Sequence, residues 1–158
     1  GGTRNCEWWR TNEAVLHGGD PALYRGVYDG QTSDLASEFP RVNEAHTGYS
    51  TRFGYACPQR TWDFEFDFEG VIKFDFTTGD AVTHRYRDSE VSGEHVFAPD
   101  PNGTAEDDGW LLSFVTDRTT ERSELVILDA HDVAGEPVAR VQMAARVPLG
   151  FHANWFAD

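Results

Sequence analysis

Three residues stand out because internal repetition puts them at matching positions in the chain. Glu94 follows Glu38 by 56 residues, and His152 follows Glu94 by 58. Their surroundings repeat with them. Val71-Ile72-Lys73-Phe74-Asp75 matches Leu125-Val126-Ile127-Leu128-Asp129 at an offset of 54, and Gly79-Asp80 matches Gly135-Glu136 at 56. Residues at one position of a structural repeat share a place in the fold, which groups these three side chains. A neutral imidazole suits transition metals, and a carboxylate can accept the second ring N–H of such an imidazole. Residue type alone leaves alternatives open. A histidine between Gly150 and Trp155 also fits a polar residue satisfied in a packed turn, and a glutamate usually ends up solvated.

The remaining candidates carry less chemistry. His95 follows Glu94, so on a strand the two point to opposite faces. His84 falls in a candidate outer strand, His131 in a hairpin loop, and His17 and His46 in irregular polar stretches. Glu106-Asp107-Asp108-Gly109 reads as a solvated acidic hairpin loop, because its spacing does not fit a 12-residue calcium loop. There is no supported Ser-His-Asp set, no Gly-rich phosphate loop and no zinc-type cysteine cluster.

The elements that must position the three residues are strands. Short runs rich in Val, Ile, Phe, Tyr and Thr, bounded by Gly, Asp, Asn and Pro, are a strand signature. Candidates are Tyr49 to Ala56, Val71 to Phe76, Val82 to Tyr86, Trp110 to Thr116, Ser123 to Asp129 and Pro137 to Met143. No window shows helical periodicity with caps. Thr77-Thr78-Gly79-Asp80, Asp117 to Glu121 and Asp129 to Glu136 are short connections, so the strands they join are antiparallel neighbours.

The chain is therefore expected to be all-β. Four-strand meanders repeated about an axis are propeller blades, with the first strand of each blade lining the central channel. This predicts a partial β-propeller: a lead-in over 1–34, blades over 35–89 and 90–145, and over 146–158 the first strand of a further blade carrying His152. Glu38, Glu94 and His152 would then all sit on first strands. Two blades and a strand leave open edges, so the pattern implies a piece of a longer protein or an oligomer that completes the ring, and the repeat count favours the piece.

Composition bounds the partners. With 39% hydrophobic and 13% aromatic residues, the chain can build a core. A net charge of −14 disfavours nucleic acid and an anionic membrane leaflet, and suits a cation site. Two cysteines, Cys6 and Cys57, without CxxC spacing read as reduced thiols, which makes a cytoplasmic location the expectation. No run of about 18 apolar residues or signal peptide is present. The chain begins without Met at Gly1-Gly2-Thr3, so that last absence carries no weight.

Four motifs in order resemble the carotenoid oxygenase family (carotenoid and lignostilbene cleavage dioxygenases). They are Ser37-Glu38-Phe39-Pro40-Arg41-Val42-Asn43; Gly93-Glu94-His95-Val96-Phe97-Ala98-Pro99 with Ala105-Glu106-Asp107-Asp108-Gly109-Trp110; Ser123 to Ala130; and Val147-Pro148-Leu149-Gly150-Phe151-His152. The likeness runs from about Leu35 to Trp155 and is to the C-terminal part of the family. It implies a seven-bladed propeller with iron, Fe(2+), on its axis, held by four histidines. Three glutamates hold some of those histidines. It implies cleavage of a carbon–carbon double bond of a carotenoid, apocarotenoid or stilbene with O2, giving carbonyl products. On this chain His152 matches the last iron histidine, and Glu38 and Glu94 match two of the supporting glutamates. One histidine does not hold catalytic iron, so the chain alone is expected to be inactive. The alternative is a non-catalytic β-propeller binding module that has lost its metal site. A lipophilic substrate implies peripheral membrane contact in the parent protein. Phe39, Phe97, Phe151 and Trp155 flank the axial residues and suit either a tunnel lining or core packing.

Overall fold

The computed structural model describes residues 36–60 and 68–157. These form two antiparallel sheets. The first is a meander of β1 (Ser37–Arg41), β2 (Phe53–Pro58), β3 (Gly70–Asp75) and β4 (Ala81–Arg85), in that spatial order. The second holds β5 (Glu90–Ser92), β6 (Val96–Pro99), β7 (Gly109–Asp117), β8 (Arg122–Asp129) and β9 (Ala139–Gln142), with β5 and β6 both pairing with β7. β5 and β6 are thus two halves of one first strand at the sheet edge, interrupted at Gly93-Glu94-His95. Each sheet is a four-strand meander, as the repeats require.

The strands form where β-branched and aromatic residues alternate. Along β2 and β3, Tyr55 and Val71 face the second sheet, while Ala56, Ile72 and Phe74 pack on the other side with Phe76. The main core lies between the sheets. It joins Tyr55 and Val71 to Tyr86, Phe97, Leu111, Val115, Val126, Leu128, Ala130 and Val133. Each large apolar side chain fully buried there contributes about 1.5–3 kcal/mol. Lys73 adds a polar link between the sheets: its Nζ lies 2.6 Å from Asp107 Oδ2 and 2.7 Å from the Ala130 carbonyl. Phe68 also bridges to Ser92, whose N–H donates to the Phe68 carbonyl at 2.9 Å.

Both first strands carry the same irregularity. Between Glu38 and Arg41 the chain advances three residues while its partner advances two, from Cys57 to Tyr55. Between Ser92 and Val96 it advances four while its partner advances three, from Val115 to Leu112. Each is a β-bulge of one extra residue, which bends the strand and re-aims its side chains. Glu38 opens the first bulge and Glu94 lies within the second.

Residues 146–157 form no strand. A strand exists only through a ladder with a neighbour, and no described strand pairs with this segment. It is held by individual hydrogen bonds, starting with the Val147 N–H to Ser123 Oγ at 2.9 Å.

Candidate functional site

Glu94 is the centre of the site. The bulge turns its side chain inward, where only 3% of it is exposed. Its carboxylate is divided between two sets of partners. Oε1 accepts from Arg41 Nε at 2.7 Å. Oε2 accepts from the Ala153 N–H at 2.7 Å and lies 3.5 Å from His152 Nδ1. That second distance exceeds an ordinary hydrogen bond, so Nδ1 faces the carboxylate in a longer polar contact. A ring whose Nδ1–H faces a carboxylate presents Nε2 as its free lone pair. The His152 side chain is 72% exposed, so the ring stands over a buried anion with its other edge open. A cleft of about 220 Å³ adjoins it, lined by Glu94, Phe114, Leu149, Phe151 and His152 among others.

Arg41 joins the pieces. Besides Glu94, its guanidinium donates to the Ala153 carbonyl, to Asn154 Oδ1 at 3.2 Å and to Glu44 Oε1 at 3.2 Å. The hydrogen bond to Glu94 is the main cause that raises the Arg41 pKa above its ordinary value. Phe39, two residues earlier, has φ +51°. That left-handed conformation costs a non-glycine residue about 1–2 kcal/mol. It sets the Phe39 ring edge-on to His152 at 5.3 Å, with Phe68 at 5.0 Å and Phe151 at 6.3 Å. Glu38 lies on β1 opposite Cys57.

The interrupted strand is anchored from behind. His95 is fully buried, with Tyr86 Oη 2.9 Å from Nε2 and Cys57 Sγ 3.4 Å from Nδ1. Burial lowers its pKa to about 3, so it stays neutral. Burial also raises the Cys57 thiol to about 12, so it is no nucleophile near neutral pH. Ser113 Oγ donates to the Gly93 carbonyl at 3.1 Å. Glu94 and His95 therefore take different partners on either side of the interrupted strand.

The acidic run departs from its sequence reading. Asp107 is buried against Lys73. Glu106 accepts the Arg52 and Phe53 N–H groups at 2.8 Å through Oε1. Asp108 accepts the Thr104 and Ala105 N–H groups at 2.6 Å and contacts His131 Nε2 at 2.5 Å. These carboxylates close a loop and join sheets; they are not a solvated face. His84 packs edge-on against Tyr86 at 5.0 Å, and burial lowers its pKa. His17 and Cys6 lie outside the described residues.

Among the described residues, no group of three or more His, Cys, Asp or Glu is arranged to hold a metal ion. What is present is one open imidazole backed by a buried carboxylate. That donor set fits one ligand of a shared centre and not a complete one. Of the residues predicted from sequence, the structure brings Glu94 and His152 together and places Glu38 in the equivalent bulge of the neighbouring sheet. Arg41 escaped sequence reasoning. A cation inside the motif Ser37 to Asn43, three residues after Glu38, is the signal that could have found it.

Comparison with known proteins agrees with this architecture. The family described as RPE65, retinal pigment epithelial membrane protein, matches residues 10–157. The apocarotenoid-15,15'-oxygenase of Synechocystis is 32% identical over 118 residues, covering 75% of this chain and 24% of that protein. A carotenoid cleavage oxygenase of Mycobacterium tuberculosis is 36% identical over 131 residues, covering 77% and 25%. A carotenoid 9,10(9',10')-cleavage dioxygenase of Pisum sativum is 37% identical over 136 residues, again covering 77% and 25%. The chain thus spans about a quarter of the length of these curated relatives. Among solved structures, a cobalt-substituted Synechocystis apocarotenoid oxygenase superposes with a TM-score of 0.72 at 30% identity, covering 78% of this chain and 26% of that one. A variant of the same enzyme gives 0.76 at 29% identity, covering 82% and 27%. The two meanders are accordingly blades of a partial β-propeller, and the chain belongs to the RPE65/carotenoid cleavage oxygenase family.

Proposed function

We propose that this chain is the C-terminal part of a mononuclear non-haem iron dioxygenase that cleaves a carbon–carbon double bond of a carotenoid, apocarotenoid or stilbene. In that reaction the alkene and O2 give two carbonyl products, with one oxygen atom in each. When bound, Fe(II) supplies the one-electron chemistry by which O2 reacts with a closed-shell alkene. The observation that carries the reading is His152, standing over the buried carboxylate of Glu94 with its second nitrogen open. The family relationship supports it, as does a structural neighbour that accepts cobalt.

This chain's own residues do three things in that reading. His152 offers one imidazole nitrogen to the metal. Glu94 fixes the ring's orientation and raises its basicity as a ligand. Phe39, Phe151 and Leu149 surround the ring with apolar surface of the kind a polyene or stilbene requires. Glu38 is assigned the same supporting role toward a histidine outside this chain. The chain by itself lacks dioxygenase activity.

The test is metal analysis of the full-length protein. His152→Ala is expected to lose most bound iron and all cleavage of a carotenoid or stilbene, while Glu94→Gln retains less iron than the parent. Full iron and activity in His152→Ala would sink the ligand assignment. Turnover by the isolated 158-residue chain would sink the claim that it is incomplete. A full-length parent without iron or turnover would favour the binding-module alternative.

A further inference from the structure

We propose that Arg41 is a positioning residue for His152, acting through Glu94 and the backbone of Ala153. The inference rests on the reading of His152 as a metal ligand and adds a residue to it.

The argument starts from the closing segment. Residues 146–157 have no ladder to hold them, so the position of His152 depends on a few discrete bonds. Two of these act on the residue after it. The Ala153 N–H donates to Glu94 Oε2 at 2.7 Å, and the Ala153 carbonyl accepts from Arg41 Nη2. Arg41 Nε closes the ring on Glu94 Oε1 at 2.7 Å. Arg41, Glu94 and Ala153 thus form a closed cycle that fixes both peptide groups of Ala153, the first of which joins it to His152. Asn154 Oδ1, at 3.2 Å from Nη2, extends the hold by one residue.

Arg41 also decides which carboxylate oxygen does what. By occupying Oε1 it leaves Oε2 toward Ala153 and His152. Without that partner the carboxylate can rotate about its last bond, and the imidazole loses a fixed acceptor. Only a planar guanidinium suits this place. It reaches Glu94, the Ala153 carbonyl and Glu44 through three different nitrogens, whereas a lysine ammonium is a single point on a flexible stem. The Arg41 side chain is 19% exposed, so the cycle is largely shielded from competing water.

Two measurements test this. In the full-length protein, amide hydrogen exchange is compared for the parent, Arg41→Lys and Arg41→Met. Ala153 is expected to exchange about 10-fold faster in both variants, with the core amides of β7 and β8 unchanged. Unchanged protection at Ala153 overturns the proposal. So does equal acceleration across β7 and β8, which would mark Arg41 as a general stabiliser.

In the full-length protein, Co(II) affinity and the Co(II) visible absorption spectrum are measured for the same variants beside His152→Ala. Arg41→Met is expected to bind Co(II) about 10-fold more weakly, with an altered spectrum, and Arg41→Lys to fall between it and the parent. If His152→Ala loses Co(II) while both Arg41 variants keep the parent affinity and spectrum, Arg41 has no positioning role and the ligand assignment stands. If His152→Ala keeps Co(II) with the parent spectrum, the ligand reading itself fails and the proposal falls with it. Should Arg41→Met not fold, Arg41→Lys alone decides, since it keeps the charge and loses the fork.

Discussion

Glu94 and His95 are neighbours in sequence with opposite fates. Glu94 is an ionic residue held by Arg41 and the Ala153 N–H; His95 is a buried neutral ring between Cys57 and Tyr86. The second supports the first, because His95 pins the strand exactly where the bulge releases Glu94. It also makes stability depend on pH. In the folded chain burial holds the His95 pKa at about 3, whereas in the unfolded chain the ring takes a proton below about 6.5. Between those values the unfolded state binds more protons, so stability falls as pH falls through that window, at up to about 1.4 kcal/mol per pH unit. Thermal melts at pH 7, 6 and 5 should show a drop in Tm that flattens in His95→Gln. An equally steep drop in that variant would assign the effect to carboxylates. His131 runs the other way: Asp108 raises its pKa, so its small contribution is present below about 6.5 and fades as pH rises through the folded value.

At the scale of elements, the two bulges and the tight turns carry the design. Each sheet carries a bulge in its first strand close to the repeated glutamate, Glu38 at the start of one and Glu94 within the other. The β3–β4 hairpin turns at Gly79, with φ +81° and open space where a side chain would go. Any cost of substitution there is therefore backbone strain alone. Gly79→Ala should destabilise by about 1 kcal/mol and Gly79→Asn by less, read as midpoints of chemical denaturation. An equal loss for both would point to something other than the left-handed conformation. Gly70 differs: a Cβ there would run into the His84 backbone across the β3–β4 ladder, so the constraint is close approach of two chains.

At the scale of the molecule, the sheets are joined by a shared apolar core and by ion pairs, one of them largely buried at both ends. Lys73, 11% exposed, and Asp107, 6% exposed, link β3 to the loop before β7. Lys73 also lies 4.3 Å from the Phe53 ring centroid. Removing one partner strands the other's charge, so Lys73→Met should cost about 3–5 kcal/mol in unfolding free energy. Lys73→Met with Asp107→Leu should recover most of that loss. A single variant as stable as the parent would show that Asp107 finds water instead.

The all-β class, the two meander units, the bounds of most strands to within a few residues and the matched positions of Glu38 and Glu94 were legible in the sequence. Those features follow from local periodicity, turn chemistry and a repeat close to 56 residues, all of which are written along the chain. The repeat and the family likeness also grouped His152 with Glu38 and Glu94. Tertiary structure alone decided the rest. Bulges are invisible to periodicity, because one extra residue alters register and leaves composition unchanged. The acidic run looked solvated because nothing local reveals that Lys73, 34 residues before Asp107, will cover it. Arg41 and Ala153 are 112 residues apart, and only folding closes their cycle with Glu94. Residues 146–157 carry no strand, and the discrete bonds that hold them, from the Val147 N–H to the Ala153 carbonyl, reach partners far away in the chain.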